Sequence, residues 1–263
     1  MSTNLPALLD ALVPVMHAAG DLIEAVRRAG FETHGKTDLS PVTEADERAE
    51  ALIVAVLTDV DPGTPIVAEE AHAAGHRPPP AARFWLIDPL DGTRDFIAGR
   101  PAYSVNIGLI ADGVPVLGLV LSPRDGVLWA GAAGAGAFRQ DPGGDRKPIA
   151  VRRAQVPPTV VVSHSHLDDT TKKYLALMGL VALEPAGSSL KFCRLAEGSA
   201  DVYPRYGPTM EWDTAAGDAV LRAAGGAMHG PAGRPFAYGK PGYRNGAFLA
   251  VGDAALFSSL PPL

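Results

Sequence analysis

The chain has 263 residues, 47% apolar and 20% charged, with a formal net charge of −6 and a single cysteine, Cys193. That is enough material for one large α/β unit or two small domains. The negative balance argues against a nucleic-acid polymer as partner, and one cysteine excludes an intrachain disulfide or a cysteine-based zinc site.

Residues 5–29 carry Leu5, Leu9, Leu12, Met16, Ala19, Ile23 and Val26 at a helical period. Asn4 and Pro6 suit the start of this helix, Pro14 is expected to bend it, and Gly30 to stop it. No apolar stretch reaches the roughly 18 residues of a membrane span. The first residues lack the basic start and apolar run of a secretory signal, so a cytoplasmic protein is expected. Thr43 opens a second helix with the stripe Ala49, Ile53, Val56, Leu57 and Val60, closed by Asp61-Pro62-Gly63.

Residues 65–68 form a short strand that runs straight into Glu69 and Glu70. The apolar run Phe84-Trp85-Leu86-Ile87 is a buried strand and leads into Asp88-Pro89-Leu90-Asp91-Gly92-Thr93. Pro89 has no N–H to give, so sheet pairing should stop there. Gly92 then permits a tight bend, and Thr93 opens a further helix. Strands near 105–110, 114–121 and 127–131 are joined at Asp112-Gly113 and Asp125-Gly126, both strong hairpin signals. Asp141-Pro142-Gly143-Gly144-Asp145 is the best internal boundary and divides the chain into 1–145 and 146–263. Beyond it are expected a strand at 160–163, helices at 170–178 and 189–197, a strand near 201–205, and a helix from Asp213 to Gly225. Residues 258–263 read as a loose tail.

Acids stand in suspicious settings at several of these ends. Glu69 and Glu70 close one strand, Asp88 and Asp91 another, and Asp213 precedes the small-residue run Thr214-Ala215-Ala216-Gly217. Singly, each has a bland explanation: an N-cap for Asp213, a turn for Asp91-Gly92, a solvated strand end for the glutamates. Asp46 lies on the core-facing stripe of its helix, although it could simply form a capping box with Thr43. If these groups converge, two carboxylates 4 Å apart repel by roughly 4 kcal/mol at an effective dielectric of about 20. Protons or cations must then offset the cost, and for cations an all-oxygen donor set favours Mg²⁺, with Mn²⁺ as the alternate.

The motifs Pro41-Val42-Thr43-Glu44-Ala45-Asp46, Ala68-Glu69-Glu70, Asp88 to Thr93 and Trp212 to Gly217 appear in the order and spacing of a known family. With them the chain resembles the Mg²⁺-dependent, lithium-sensitive phosphatases of the inositol monophosphatase superfamily, over nearly its whole length. The resemblance implies a layered αβαβα sandwich. It implies one metal on Glu69, Asp88 and the Leu90 carbonyl, and a second on Asp88, Asp91 and Asp213. It also implies that the Gly92 and Thr93 N–H groups hold the scissile phosphate, that Asp46 orients the Thr93 hydroxyl to activate water, and that Glu70 supports a further metal or its water.

The segments Gly187 to Gly198 and Tyr203 to Thr209 look like the 3′(2′),5′-bisphosphate nucleotidase branch, which implies hydrolysis of 3′-phosphoadenosine 5′-phosphate to AMP. A second phosphate needs its own donors, and Lys191, Arg205 and Ser188 are suited to supply them. His166 would contact the nucleoside. The bland alternatives are a serine N-cap and a surface arginine. Rival functions are an inositol monophosphatase, a broad sugar phosphatase, or a non-catalytic binder of phosphorylated metabolites. The partner is a small phosphorylated nucleotide, and the protein a monomer or homodimer. The Gly-rich run 131–136 lacks a dinucleotide-binding layout, and Cys193 is read as core.

Overall fold

A computed structural model describes residues 4–35, 41–163 and 167–263. The chain opens with α1 (Leu5–Ala29), followed by the short strands β1 (Thr33–Gly35) and β2 (Pro41–Thr43), then α2 (Glu44–Val60), β3 (Ile66–Ala68) and α3 (Glu69–Ala73). It continues through β4 (Arg83–Asp91), α4 (Thr93–Ile97), β5 (Ser104–Ala111), β6 (Val114–Ser122), β7 (Val127–Ala132), β8 (Gly136–Gln140) and β9 (Arg146–Ile149). The second half comprises β10 (Thr159–Ser163), α5 (Asp169–Met178), β11 (Ala182–Ala186), α6 (Leu190–Ala196), β12 (Val202–Arg205) and β13 (Thr209–Met210). It ends with α7 (Trp212–Ala223), β14 (Ala227–His229), β15 (Arg244–Asn245), β16 (Phe248–Val251) and a closing 3₁₀ turn.

Among the described residues, β3 to β9 form one seven-stranded sheet in sequence order, and a second sheet has the order β11-β10-β12-β16-β14. Side-chain alternation along β4 explains the layering. Trp85 and Ile87 face a core shared with α1 and α2, while Phe84 and Leu86 face a core shared with α6 and α7. That second core continues onto Val161, Tyr203, Phe248 and Ala250 of the second sheet. The far side of the second sheet buries Val160, Val202 and Leu249 against Tyr174 and Leu175 of α5. The result is the αβαβα sandwich that the family resemblance implied.

α1 runs through Pro14, which faces solvent, where water can serve the backbone group that proline leaves unpaired. Several expectations change in the structure. By length and apolarity α1 could cross a membrane, contrary to the expectation that no stretch would qualify; its residues Leu12, Met16, Ala19 and Ile23 are instead fully buried in the core. The β4 ladder slips between Asp88 and Asp91, then resumes with Asp91 opposite Ser104, so Pro89 interrupts pairing without ending the strand. The segment at 141–145 is a hairpin turn, and β9 beyond it still pairs with β8, so the chain leaves the first sheet only after Ile149. The C-terminal tail is docked: the Tyr174 hydroxyl donates to Pro261 O at 2.8 Å, and Leu260 and Leu263 join the outer core.

One device sets the position of α7. Gly108, Gly118 and Gly131 stand opposite one another on β5, β6 and β7. A Cβ on Gly118 would lie 2.2 Å from Ala216 O, and one on Gly131 would lie 2.7 Å from Ala223 Cβ. The glycines form a trough in which α7 lies close to the sheet. Gly118→Ala is expected to lower stability by about 1–3 kcal/mol, the usual cost of overpacking a tight core. Urea unfolding checks this, and an unchanged midpoint would refute the trough.

Candidate active site

The slip in β4 leaves an irregular turn between Asp88 and Asp91. Asp88 is buried, and its Oδ1 accepts the Leu90 N–H at 3.1 Å. Gly92 follows with φ of +97°, and a Cβ there would come within 2.8 Å of Ala102 O. Only glycine meets both demands, and it hands the chain to α4 with Thr93 as the first helical residue.

Asp46 serves two masters. Its Oδ2 accepts the Thr43 N–H at 2.8 Å, and the Thr43 side chain accepts the Asp46 N–H in return, which is the capping box that starts α2; the Thr43 hydroxyl also donates to Oδ2 at 2.7 Å. Its Oδ1 accepts the Thr93 hydroxyl at 3.0 Å, a contact 47 residues along the chain. Asp46 therefore caps α2 and touches the Thr93 hydroxyl at the same time. Burial raises its pKa above the ordinary carboxylate value; bonds from Thr43 and Thr93 oppose the rise, and the Glu69 charge adds to it.

Glu69 and Glu70 do not end a strand. They form the first turn of α3, where acids complement the helix dipole. The cap comes from afar: Glu50 accepts the Glu70 N–H at 2.7 Å and the Ala71 N–H at 2.8 Å. Sequence reasoning missed Glu50. Its signal was an acid one turn after Asp46 on the same buried face of α2.

Asp213 occupies the first turn of α7, and its Oδ2 accepts the Met210 N–H at 2.8 Å. Lys191, also in the second half of the chain, is buried, with Nζ donating to Ser188 O at 2.6 Å and lying 5.3 Å from the Tyr203 ring centre. Burial brings its pKa down to about 8, against the pull of Asp91. Arg205 Nε donates to Gly207 O at 3.2 Å, leaving other guanidinium donors for an anion. The Ser188 hydroxyl is committed to Asp91 Oδ2 at 2.5 Å. His166 lies outside the described residues.

These groups meet at one cavity of about 550 Å³, whose lining includes Glu69, Asp91, Gly92, Thr93 and Asp213 together with Ser188, Lys191 and Arg205. Asp46, Glu70, Asp88 and Leu90 are not in the lining; Asp46 reaches it through Thr93. Burial raises the pKa of both Asp91 and Asp213, and the Glu69 charge adds to each. Asp213 also feels the charge of Asp91. Mutual repulsion of that kind makes the cavity a place where positive charge is favoured. The hydrogen bonds to Asp91 and Asp213 fall on Oδ2, so Oδ1 of each is available to a cation. Among the described residues the lining has no His or Cys, and its carboxylates suit Mg²⁺. Among the described residues no three His, Cys, Asp or Glu groups form a ready cage. Mg²⁺ does not require one, since it keeps waters and shares substrate phosphates.

The inositol monophosphatase family model matches residues 5–260. The chain is 42% identical over 233 residues to the 3′(2′),5′-bisphosphate nucleotidase CysQ of Escherichia coli K12, covering 88% of this chain and 94% of that one. The crystal structure of CysQ from Bacteroides thetaiotaomicron, 34% identical, superposes with a TM-score of 0.77 over 94% of this chain and 97% of that one. An inositol monophosphatase from Anabaena, 28% identical, superposes with a TM-score of 0.76 over 99% of both chains.

Proposed function

This chain belongs to the inositol monophosphatase family, and on that premise we propose that it is a 3′(2′),5′-bisphosphate nucleotidase that hydrolyses 3′-phosphoadenosine 5′-phosphate to AMP and phosphate. The observation that carries the substrate choice is that Lys191 and Arg205 share one cavity with Glu69, Asp91, Thr93 and Asp213. A single phosphate needs only the acidic end and the turn at Gly92. Lys191 and Arg205 match a second phosphate.

We assign a divalent cation, Mg²⁺ or its alternate Mn²⁺, to Glu69, Asp88, the Leu90 carbonyl, Asp91 and Asp213, with Glu70 in support. Bound there, it would supply Lewis acidity to the phosphoryl and leaving oxygens and lower the pKa of the attacking water. The Thr93 hydroxyl donates to Asp46, so Thr93 Oγ1 can accept a proton from the water as its own proton passes to the Asp46 carboxylate. The raised pKa of Asp46 makes it a better proton acceptor than an exposed aspartate. The N–H groups of Gly92 and Thr93 are suited to hold the scissile phosphate.

Lys191→Ala and Arg205→Ala are expected to lower kcat/KM for the adenosine bisphosphate by about 10–100-fold, the worth of a charge-assisted hydrogen bond. Turnover of inositol 1-phosphate should fall far less. A substrate panel with fructose 1,6-bisphosphate included, run with and without lithium, measures both. Equal losses on the two substrates would leave the inositol monophosphatase reading standing. With a pKa of about 8, Lys191 is charged below that pH and neutral above it. The bisphosphate KM should therefore rise as pH passes 8, and Lys191→Arg should flatten the rise.

A further inference from the structure

Ser104 and Asn106 occupy alternate positions on β5, are fully buried, and do not line the cavity. Both reach across to the second half of the chain. Ser189 Oγ donates to Asn106 Oδ1 at 2.5 Å and lies 2.7 Å from Ser104 Oγ. Ser104 Oγ also bonds Ser188 Oγ, and Asn106 Nδ2 donates to Ser104 Oγ at 3.4 Å. The far end of the network is Asp91, whose Oδ2 accepts the Ser188 hydroxyl at 2.5 Å and the Ser189 N–H at 2.8 Å.

The protons run in one direction. An ionised Asp91 can only accept, so the Ser188 proton goes to it, and Ser188 Oγ must then accept from Ser104. Ser104 in turn accepts from Asn106 Nδ2, which gives a donor chain that ends on a carboxylate, the arrangement in which each bond strengthens the next. The backbone is built for it. Ser188 holds φ at +53°, which serine seldom adopts, and a Cβ on Gly187 would fall 2.4 Å from Ala102 Cβ. Lys191 Nζ then closes on Ser188 O from the other side.

We propose that Ser104, Asn106 and Ser189 are positioning residues of a buried clasp that fixes Ser188 between Asp91 and Lys191. The clasp sets the cation end and the second-phosphate end of the cavity together. The inference rests on the nucleotidase reading for the second phosphate, but not for the hold on Asp91.

Ser104→Ala cuts the donor chain without touching either end. It should weaken Mn²⁺ binding, measured by electron paramagnetic resonance on the substrate-free protein, by about tenfold, equivalent to about 1.4 kcal/mol. The Ser189 amide should lose hydrogen-exchange protection while the β6 and β7 amides keep theirs. KM for the bisphosphate should rise by a similar factor, with kcat at saturating cation and substrate nearly retained. Ser104→Thr, which restores the hydroxyl, should recover the metal affinity. If Ser104→Ala does not fold, Ser189→Ala carries the test, since it keeps the amide bond to Asp91 and loses only the tie to β5. Unchanged Mn²⁺ affinity and Ser189 protection in a folded variant would overturn the clasp, as would a loss confined to kcat. Both primary readouts need no substrate, so failure of the clasp is distinguishable from failure of the nucleotidase assignment.

Discussion

Thr93→Ala and Asp46→Asn should each lower kcat by about 10²–10⁴-fold, the range over which a positioned general base acts, and the double variant should be no worse than the poorer single. The reasoning starts from one hydrogen bond, Thr93 Oγ1 to Asp46 Oδ1 at 3.0 Å. If the two residues pass a proton as a unit, removing either one breaks the relay and the second removal has nothing left to break. Losses that multiply would show independent roles and sink the relay. Thr93→Ser keeps the hydroxyl and should retain most of the activity. Thr43→Ala separates the two duties of Asp46: it deletes a cap partner, should cost about 1 kcal/mol of stability, and leaves the Asp46–Thr93 bond in place. The sign of the pH effect follows from burial. Because the Asp46 pKa is raised, activity should fall on the acid side at a higher pH than an ordinary aspartate would give. Asp46→Asn should remove that acid limb along with the rate.

The parts of this candidate site that were legible in the sequence share a property: each is a residue type that folding alone would avoid at its position. Two acids after a dry strand at Asp88 and Asp91, an acid on the buried stripe of α2 at Asp46, and Asp213 beside a run of alanines are each anomalous for packing. Ser104, Asn106 and Ser189 are not anomalous anywhere. They are neutral and small, and their meaning lies in partners more than 80 residues away. Glu50 was hidden for the same reason, since it caps a helix that begins 19 residues later. α3 itself was unreadable because a five-residue helix has little local support and its first N–H groups are satisfied by that distant carboxylate. The long elements were clear from periodicity, whereas β11, β14 and β16, at three to five residues each, exist through pairing with β10, β12 and one another. The trough of Gly108, Gly118 and Gly131 needed registers that no single strand reveals. Its consequence is functional, because it seats the helix that carries Asp213.

That seating leads to the second large effect. Asp213→Asn should cut turnover by about 10²–10³-fold, the scale for losing one electrostatic contact in an active site. In chelator, the same change should make the fold more stable by about 1–2 kcal/mol, since relieving strain at a functional site commonly stabilises. The opposite signs have one cause. Burial raises the Asp213 pKa well above the usual value, and the charges of Asp91 and Glu69 push it further, against the Met210 N–H and Arg205. A carboxyl whose folded pKa lies above its unfolded one contributes stability that is fully present below the unfolded pKa and is lost as pH rises through the folded pKa. Asp91 has the same sign. Without divalent cation, wild-type Tm should therefore climb as pH falls from neutral, and Asp213→Asn should flatten the climb. Asp253, whose pKa is held down by the Ala255 N–H, acts with the opposite sign, but only at and below the ordinary aspartate range, so the two windows separate. Saturating Mg²⁺ should then stabilise the wild type by about 2.7 kcal/mol at a hundredfold excess over Kd, and the variant by less. A variant no more stable than wild type in chelator at neutral pH, with an undiminished Mg²⁺ response, would mean that the Asp213 charge is neither a cost to the fold nor a hold on the cation.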